Sequence, residues 1–406
     1  MAFTTTALPA RKHTTLRVLV LDQGPGLWGA QQYLLRLRPL LAEHGVELTL
    51  ACPPELEQYE HWRSRGLPVI PLALPVSRSI RDETRISAGR LVTEMSRSVA
   101  VPRLIAQTAV RGRYDLVLAN SHWTHLDAAV AARMWRLPTV LTLHETSMPG
   151  VGRRLRDLAV RAAGHTIAVS GSVAETVGAT VRERVTVIPN GVDTAVFAPS
   201  DERLRHTVRR ELGIDDDRRI ALAATRIDPS KHIEDLVEFA AGLDDSVTVL
   251  VAGTTSVYRD YEQHVRDLAV ALPPGRMRFL GARDDIPRLL GASDLYVHTG
   301  LIEGMPLGVI EAQAAGVPVV AYEAAGVREA VRHGETGYVV APRDVAGLLD
   351  AGRRVFGSEC LRRQLGEQAR SHVLDRHRLD DQAAANAELL REVCWSPTSS
   401  PVAAAS

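Results

Sequence analysis

Cysteine is scarce in this chain, with only Cys52, Cys360 and Cys394 spread over 406 residues. Three thiols so far apart make no disulfide framework, and none belongs to a pair with zinc-ligand spacing, so a reducing compartment is expected. Net charge is lacking as well: 48 Lys and Arg stand against 48 Asp and Glu, which leaves no global field to steer the protein toward nucleic acid. Long apolar runs are missing too. No stretch reaches the roughly 18 residues of a membrane-spanning helix, and residues 1–13 lack the apolar centre of a secretion signal. A cytoplasmic protein is expected, and the small, polar ends, 1–15 and 396–406, read as disordered.

The composition is otherwise that of a globular protein, 45% apolar and 24% charged. The chain is longer than the ~250–300 residues at which one core usually divides, so two domains are expected. In the first half, Leu16–Asp22 is a β-rich run closed by a Gly-rich turn, and Ala30–His44 has helical spacing of apolar residues. Further strands are read at 46–52, 114–119, 138–143 and 166–169, with helical patterns between several of them. The alternation restarts after a Pro/Asn/Gly cluster near 186–200, with strands at 219–225, 246–252, 277–280, 295–298 and 318–321. Continuous apolar strands alternating with helices imply parallel sheets covered on both faces. The expected domains are 16–188 and 189–375, both Rossmann-like; 351–393 reads as helical throughout, its last part, 376–394, returning to the first domain. No clean G-x-G-x-x-G fingerprint is read in either half, which argues against a dinucleotide cofactor.

Two stretches carry chemistry. In Leu301-Ile-Glu-Gly-Met-Pro-Leu-Gly-Val-Ile-Glu311, Pro306 favours a helix that begins beside it, leaving Glu303 in the loop before the helix and Glu311 inside it. The loop follows a strand, so it opens at the carboxyl edge where doubly wound sheets bind ligands. Free amides of Leu307, Gly308 and Val309 in the first turn suit a phosphate, and the two carboxylates suit sugar hydroxyls. In Ala224-Thr-Arg-Ile-Asp-Pro-Ser-Lys231, Arg226 follows a strand and Lys231 precedes a helix. A planar fork and a mobile ammonium together suit a departing diphosphate.

With these residues in place the chain resembles the family 4 glycosyltransferases, retaining enzymes of the α/β GT-B fold, in which two Rossmann-like domains face each other across a cleft. Glu303 and Glu311 match the family's E-x7-E motif, and Arg226 and Lys231 its R-x4-K clamp. Val187-Ile-Pro-Asn-Gly-Val-Asp193 and Gly334-Glu-Thr-Gly-Tyr-Val-Val340 extend the likeness, which covers about 16–390. The resemblance implies that Glu303 binds donor-sugar hydroxyls and Glu311 the ribose diol. It assigns phosphate to the amides of 307–309, the base to the backbone of Leu280–Arg283, and a donor-sugar contact to His144. Where the family has a Gly-Gly pair near the diphosphate, this chain has Trp28-Gly29, so only Gly29 is matched; Met305-Pro306 replaces a frequent Phe-Gly.

The implied reaction moves a hexosyl group from a nucleoside-diphosphate sugar to an acceptor hydroxyl on a sugar, lipid-linked or small-molecule acceptor. Attack on the same face as the departing diphosphate retains configuration, with Arg226, Lys231, Glu303 and His144 as the catalytic set. No cofactor and no metal are expected: Asp215–Asp217 and Asp284–Asp285 stand where solvated acids are usual, and His122 and His125 have no third ligand in view. Arginines outnumber acids over 78–113, and Arg153–Arg161 has the pattern of a basic amphipathic helix, suited to weak peripheral contact with the inner face of a membrane. The alternatives are a GT-B sugar-nucleotide epimerase, which needs acid/base residues for elimination, and a silent sugar-nucleotide-binding partner of another transferase, which would not turn over.

Overall fold

The computed structural model describes residues 15–24, 26–74, 88–146, 151–255 and 257–395. The ends read as disordered lie outside these apart from Thr15, as does the start of the arginine-rich stretch. By its internal contacts the chain divides in two. One unit runs up to Ile188 and takes in the chain again from Gln382; the other is Pro189–Asp381.

The first unit is built on β1 (Leu16–Leu21), β2 (Val46–Cys52), β3 (Val69–Pro71), β4 (Leu116–Ala119), β5 (Thr139–Leu143), β6 (His165–Ala168) and β7 (Val185–Val187). Among the described residues these form one sheet in the order β3-β2-β1-β4-β5-β6-β7, every pairing parallel. Val18, Leu19 and Val20 of β1 are wholly buried although their side chains alternate between faces, because helices cover both. The order reverses between β1 and β4, the switch point at which such sheets bind ligands.

The second unit repeats the plan with β8 (Arg219–Ala224), β9 (Val247–Ala252), β10 (Met277–Gly281), β11 (Leu295–His298), β12 (Val319–Tyr322) and β13 (Gly337–Val340), ordered β10-β9-β8-β11-β12-β13 and again parallel. Its core joins Val249 and Val251 of β9 to Leu236 and Phe239 of the helix Ile233–Gly242 and to Leu348 and Val355 of the helix Val345–Phe356. The switch point lies between β8 and β11, the strands that lead into Arg226 and Glu303. Three strands not read from the sequence, β3, β7 and β13, are all at sheet edges.

The helical reading of 351–393 is corrected. Three helices occupy it, Val345–Phe356, Glu359–Arg376 and Leu379–Trp395. Ser358 starts the second by accepting a hydrogen bond from the Leu361 amide at 3.2 Å. At the second break the backbone leaves the helix to pair elsewhere: His377 O accepts from the Val192 amide at 2.9 Å, and the Leu379 amide donates to Val192 O at 3.1 Å. Gly191 is required there, because a Cβ would lie 2.6 Å from Arg378 O. The third helix belongs, from Gln382, to the first unit. Within that unit, the Tyr33 hydroxyl donates to Asn386 Oδ1 at 3.0 Å and Cys394 Sγ to Asp115 O at 3.7 Å.

Leu390, 1% exposed on this returning helix, gives a direct test of the assignment. Leu390→Ala is expected to cost about 2–4 kcal/mol. Hydrogen exchange should locate the loss in the first unit, whose sheet is β1–β7, and leave β8 and β9 protected as before.

Candidate functional site

In the second unit the chain leaves β8 at Ala224 and reaches Arg226 two residues on. Asp228 organises the connection to the next helix: Oδ1 accepts from the Ser230 amide at 2.9 Å, and Oδ2 pairs with Arg226 NH1 at 2.9 Å. A single 3-10 turn, Pro229–Lys231, leads to His232 in the left-handed region at φ 48°, and the helix Ile233–Gly242 begins. The turn is tied to the loop after β11, since Thr299 Oγ1 donates to Lys231 O at 2.6 Å and the Leu301 amide to Ser230 O at 3.3 Å. That loop brings Glu303 to Lys231. The Lys231 ammonium bonds Glu303 Oε1, and His298 Nε2 lies 3.1 Å from the same oxygen. A Cβ at Gly300 would overlap this oxygen, so a larger residue there would push Glu303 away from the pair. Burial alone would raise the Glu303 carboxyl, but the Lys231 charge and His298 outweigh it and hold the group well below the usual carboxylate range.

The helix Leu307–Ala314 starts as expected, with Pro306 as its N-cap. One expectation about it is corrected. The Val309 amide is not free, because it donates to Pro306 O at 3.2 Å in a tight first turn. Among the described residues the Leu307 and Gly308 amides have no acceptor. Gly308 lets this turn lie close over the end of β8: a Cβ would overlap the Tyr296 hydroxyl, which donates to Ala224 O at 3.0 Å. Glu311 is buried within the helix at 5% exposure. Asn190 Nδ2 supports the loop by donating to Met305 O at 2.9 Å. Arg283 stands after β10, where its guanidinium grips Asp285 through two bonds of 2.7 and 2.6 Å. Those bonds lower the Asp285 carboxyl and raise the guanidinium.

The fold of the second unit thus gathers Arg226, Lys231, Glu303, Glu311 and two helix amides around the carboxyl ends of β8 and β11. The cations are not bare, since Arg226 has Asp228 and Lys231 has Glu303. Such a set neutralises an anion and accepts hydroxyl protons. Asp228 and His298 were not singled out from the sequence. His298 could have been, because it ends a strand at the ligand edge, as His144 does.

In the first unit Gly29 opens the helix Gly29–Glu43, with open space where a Cβ would stand. Gly24, Gly26 and Gly29 do have G-x-G-x-x-G spacing between β1 and this helix, so the reading that neither half contains it is corrected. Here a carboxylate holds the first amide of the turn. Asp22 Oδ1 accepts from the Gly24 amide at 2.7 Å, and Gln31 Nε2 fills the place a Cβ on Gly24 would take. His144 follows β5, and its Nε2 lies 2.8 Å from Asn120 Oδ1. Burial brings its pKa down to about 4. His122 pairs with Glu145 at 2.8 Å. His125 is a core histidine bonded to Thr142 O at 3.1 Å and pushed down by burial to about 3. Among the described residues no group of three or more His, Cys, Asp or Glu is placed to hold a metal ion.

Comparison with known proteins gives concordant matches in both units. The family model for glycosyltransferase family 4 matches residues 28–196, and that for glycosyl transferases group 1 matches residues 205–372. The N-acetyl-alpha-D-glucosaminyl L-malate synthase of Bacillus anthracis is 26% identical over 292 residues, 69% of this chain and 75% of that protein. A D-inositol 3-phosphate glycosyltransferase of Pseudarthrobacter chlorophenolicus is 26% identical over 373 residues, 84% of this chain and 85% of that one. Among solved structures, Anabaena HepE in complex with UDP and glucose superposes with a TM-score of 0.78 at 24% identity, over 93% of this chain and 100% of that one.

Buried histidines make stability depend on pH. His125, His144 and His372 have folded values of about 3, about 4 and about 4, lowered by burial first, against about 6.5 unfolded. Their contribution is complete above pH 6.5. As pH falls toward 4 the unfolded chain takes up protons that the folded one refuses, and stability drops by up to about 1.4 kcal/mol per pH unit for each such histidine. Urea titrations between pH 7.5 and 4.5 are expected to show this decline, and His372→Leu to make it shallower.

Proposed function

The chain belongs to glycosyltransferase family 4 and has the GT-B fold, and from that premise we propose a retaining, metal-independent transfer of a hexosyl group from a nucleoside-diphosphate sugar to an acceptor hydroxyl. The observation that carries this reading is the buried Lys231–Glu303–His298 cluster beside Arg226 and the Leu307 and Gly308 amides. It supplies cations for a leaving diphosphate and a carboxylate locked in its charged form next to them.

In the proposed reaction the diphosphate lies against Arg226, Lys231 and the helix amides, where negative charge grows as the bond from the anomeric carbon to phosphate oxygen breaks. Phosphate competes with Glu303 for the Lys231 ammonium, so Glu303 turns to the sugar hydroxyls and orients the ring. Glu311 takes the ribose diol, Gly29 the near approach of the diphosphate, and the backbone before Arg283 the base. His144 contacts the sugar. The acceptor oxygen bonds the anomeric carbon on the face the diphosphate leaves, and its proton passes to the departing phosphate oxygen. The UDP and glucose bound by the Anabaena neighbour support a uridine donor as the first to try. Malate and inositol phosphate in the relatives' names support small acceptors carrying a hydroxyl and an acidic group.

No described helix is long and apolar enough to cross a membrane. The proposed location is the cytoplasm, with weak contact at the inner membrane face through the helix Val151–Ala162, which exposes Arg153, Arg154, Leu158 and Arg161.

Purified protein incubated with a panel of UDP-, GDP-, ADP- and dTDP-sugars, with EDTA and without acceptor, is expected to release nucleoside diphosphate slowly from one donor. Arg226→Ala and Glu303→Ala are each expected to slow that release by roughly 10²–10³-fold. Absence of release and of any thermal shift with every donor would remove the catalytic reading in favour of a silent binding partner.

A further inference from the structure

Beneath His144 the first unit carries a buried polar chain that the proposed reaction does not use. Asp22 is 0% exposed, and so is Asn120. The Asp22 carboxylate is met by donors from several sides: the Gly24 amide at 2.7 Å, Gln31 Nε2 at 2.9 Å, Gln58 Nε2 at 3.2 Å and Asn120 Nδ2 at 2.6 Å. Asn120 Nδ2 also donates to Ala30 O at 3.1 Å. Two pure acceptors therefore fix which end of the Asn120 amide is the NH2, since the flipped amide would set oxygen against oxygen at both. The remaining end, Oδ1, faces His144 Nε2 at 2.8 Å and can only accept. The imidazole must donate there. The ring is also held from the side: Tyr33 meets it edge-on with centroids 4.8 Å apart, and the Tyr33 hydroxyl is anchored on Asn386.

We infer that Asn120, oriented by the Asp22 carboxylate, is a positioning residue that fixes His144 as the Nε2–H tautomer and so presents Nδ1 as a hydrogen-bond acceptor for a hydroxyl of the sugar substrate. Among the described residues His144 Nδ1 has no partner. The hydrogen bond made by one ring nitrogen sets the role of the other. Burial acts in the same sense, since an uncharged ring keeps the Nδ1 lone pair that protonation would consume. The same carboxylate holds the Gly24 amide and Gln31, whose Oε1 accepts from the Trp28 amide at 3.1 Å. One buried acid thus sets both the Gly-rich turn and, through Asn120, the histidine. This inference rests on the reading of His144 as a sugar-contacting residue.

The test is long-range nitrogen–proton NMR of protein labelled in its histidine rings, recorded at pH 7.5, with His144→Gln to assign the signal. The expected spectrum has the His144 ring protonated at Nε2 alone. Asn120→Leu and Asp22→Asn, the second keeping the size of the buried group, are expected to give a mixture of tautomers. Both should lower kcat roughly 10- to 100-fold, the range found when partners that orient metal-bound imidazoles are removed. The donor KM should move much less. Thermal melts identify a variant that has merely unfolded, and either variant alone suffices. A wild-type ring protonated at Nδ1, or a tautomer unchanged in both folded variants, overturns the inference. If the tautomer behaves as expected but His144→Gln turns over normally, it is the sugar-contact premise that fails, and the inference falls with it while the donor site on the second unit stands.

Discussion

A parallel sheet buried on both faces has little room for charged side chains in the middle of its strands, and that constraint governs where this molecule can do chemistry. Val18 to Leu21 and Val249 to Val251 are apolar at every position because each face is covered by helices. The buried polar residues within the strands, such as Thr142, Thr166 and Thr248, are uncharged, and the candidate charged and catalytic groups stand where strands stop. Asn120 and His144 in the first unit, and Arg226 and His298 in the second, stand at or just beyond strand ends, and within the second unit the adjoining loops bring Glu303 and Lys231 to the edge where Arg226 and His298 lie. The buried interior then sharpens what lies there. A carboxylate that desolvation would neutralise is kept charged by an ammonium and an imidazole, while an imidazole that would titrate near neutrality is kept uncharged.

The same constraint decides what could be read in advance. Central strands announced themselves as unbroken apolar runs, and Val46–Cys52 and Leu295–His298 came out with the observed ends. Three of the four edge strands did not, β10 being the exception. Val69–Pro71 and Val185–Val187 are three residues long and partly exposed, so they carry neither the length nor the apolarity of the signal. The breaks within the helical stretch 351–393 were not placed in advance, the second because its cause lies far away in the chain, at Val192.

Within the site, local spacing was legible and long-range pairing was not. Glu303, Glu311, Arg226 and Lys231 are visible as two short motifs, and the start of a helix beside Pro306 follows from proline chemistry alone. That Lys231 would meet Glu303, or Asn120 would meet His144, depends on how the sheet orders its strands. The error over the Val309 amide has a local cause. Counting unsatisfied amides assumes an α-turn, and this helix closes its first turn more tightly. The missed G-x-G-x-x-G spacing was legible, and its local role was not: the Gly24 amide donates to the Asp22 side chain, which sequence spacing does not reveal.

The helix that returns to the first unit has a consequence for biosynthesis. A ribosome releases the first seven strands long before it makes Gln382–Trp395, and between Ile188 and Gln382 it must build the whole second unit. At about 5–20 residues per second that interval is roughly 10–40 s. During it the surface that will receive Asn386 and Leu390 stays wet, while the later-made unit can already close on itself. The part of the chain synthesised first is therefore the part finished last, and it is the nascent first unit, with its uncovered apolar face, that most needs a chaperone.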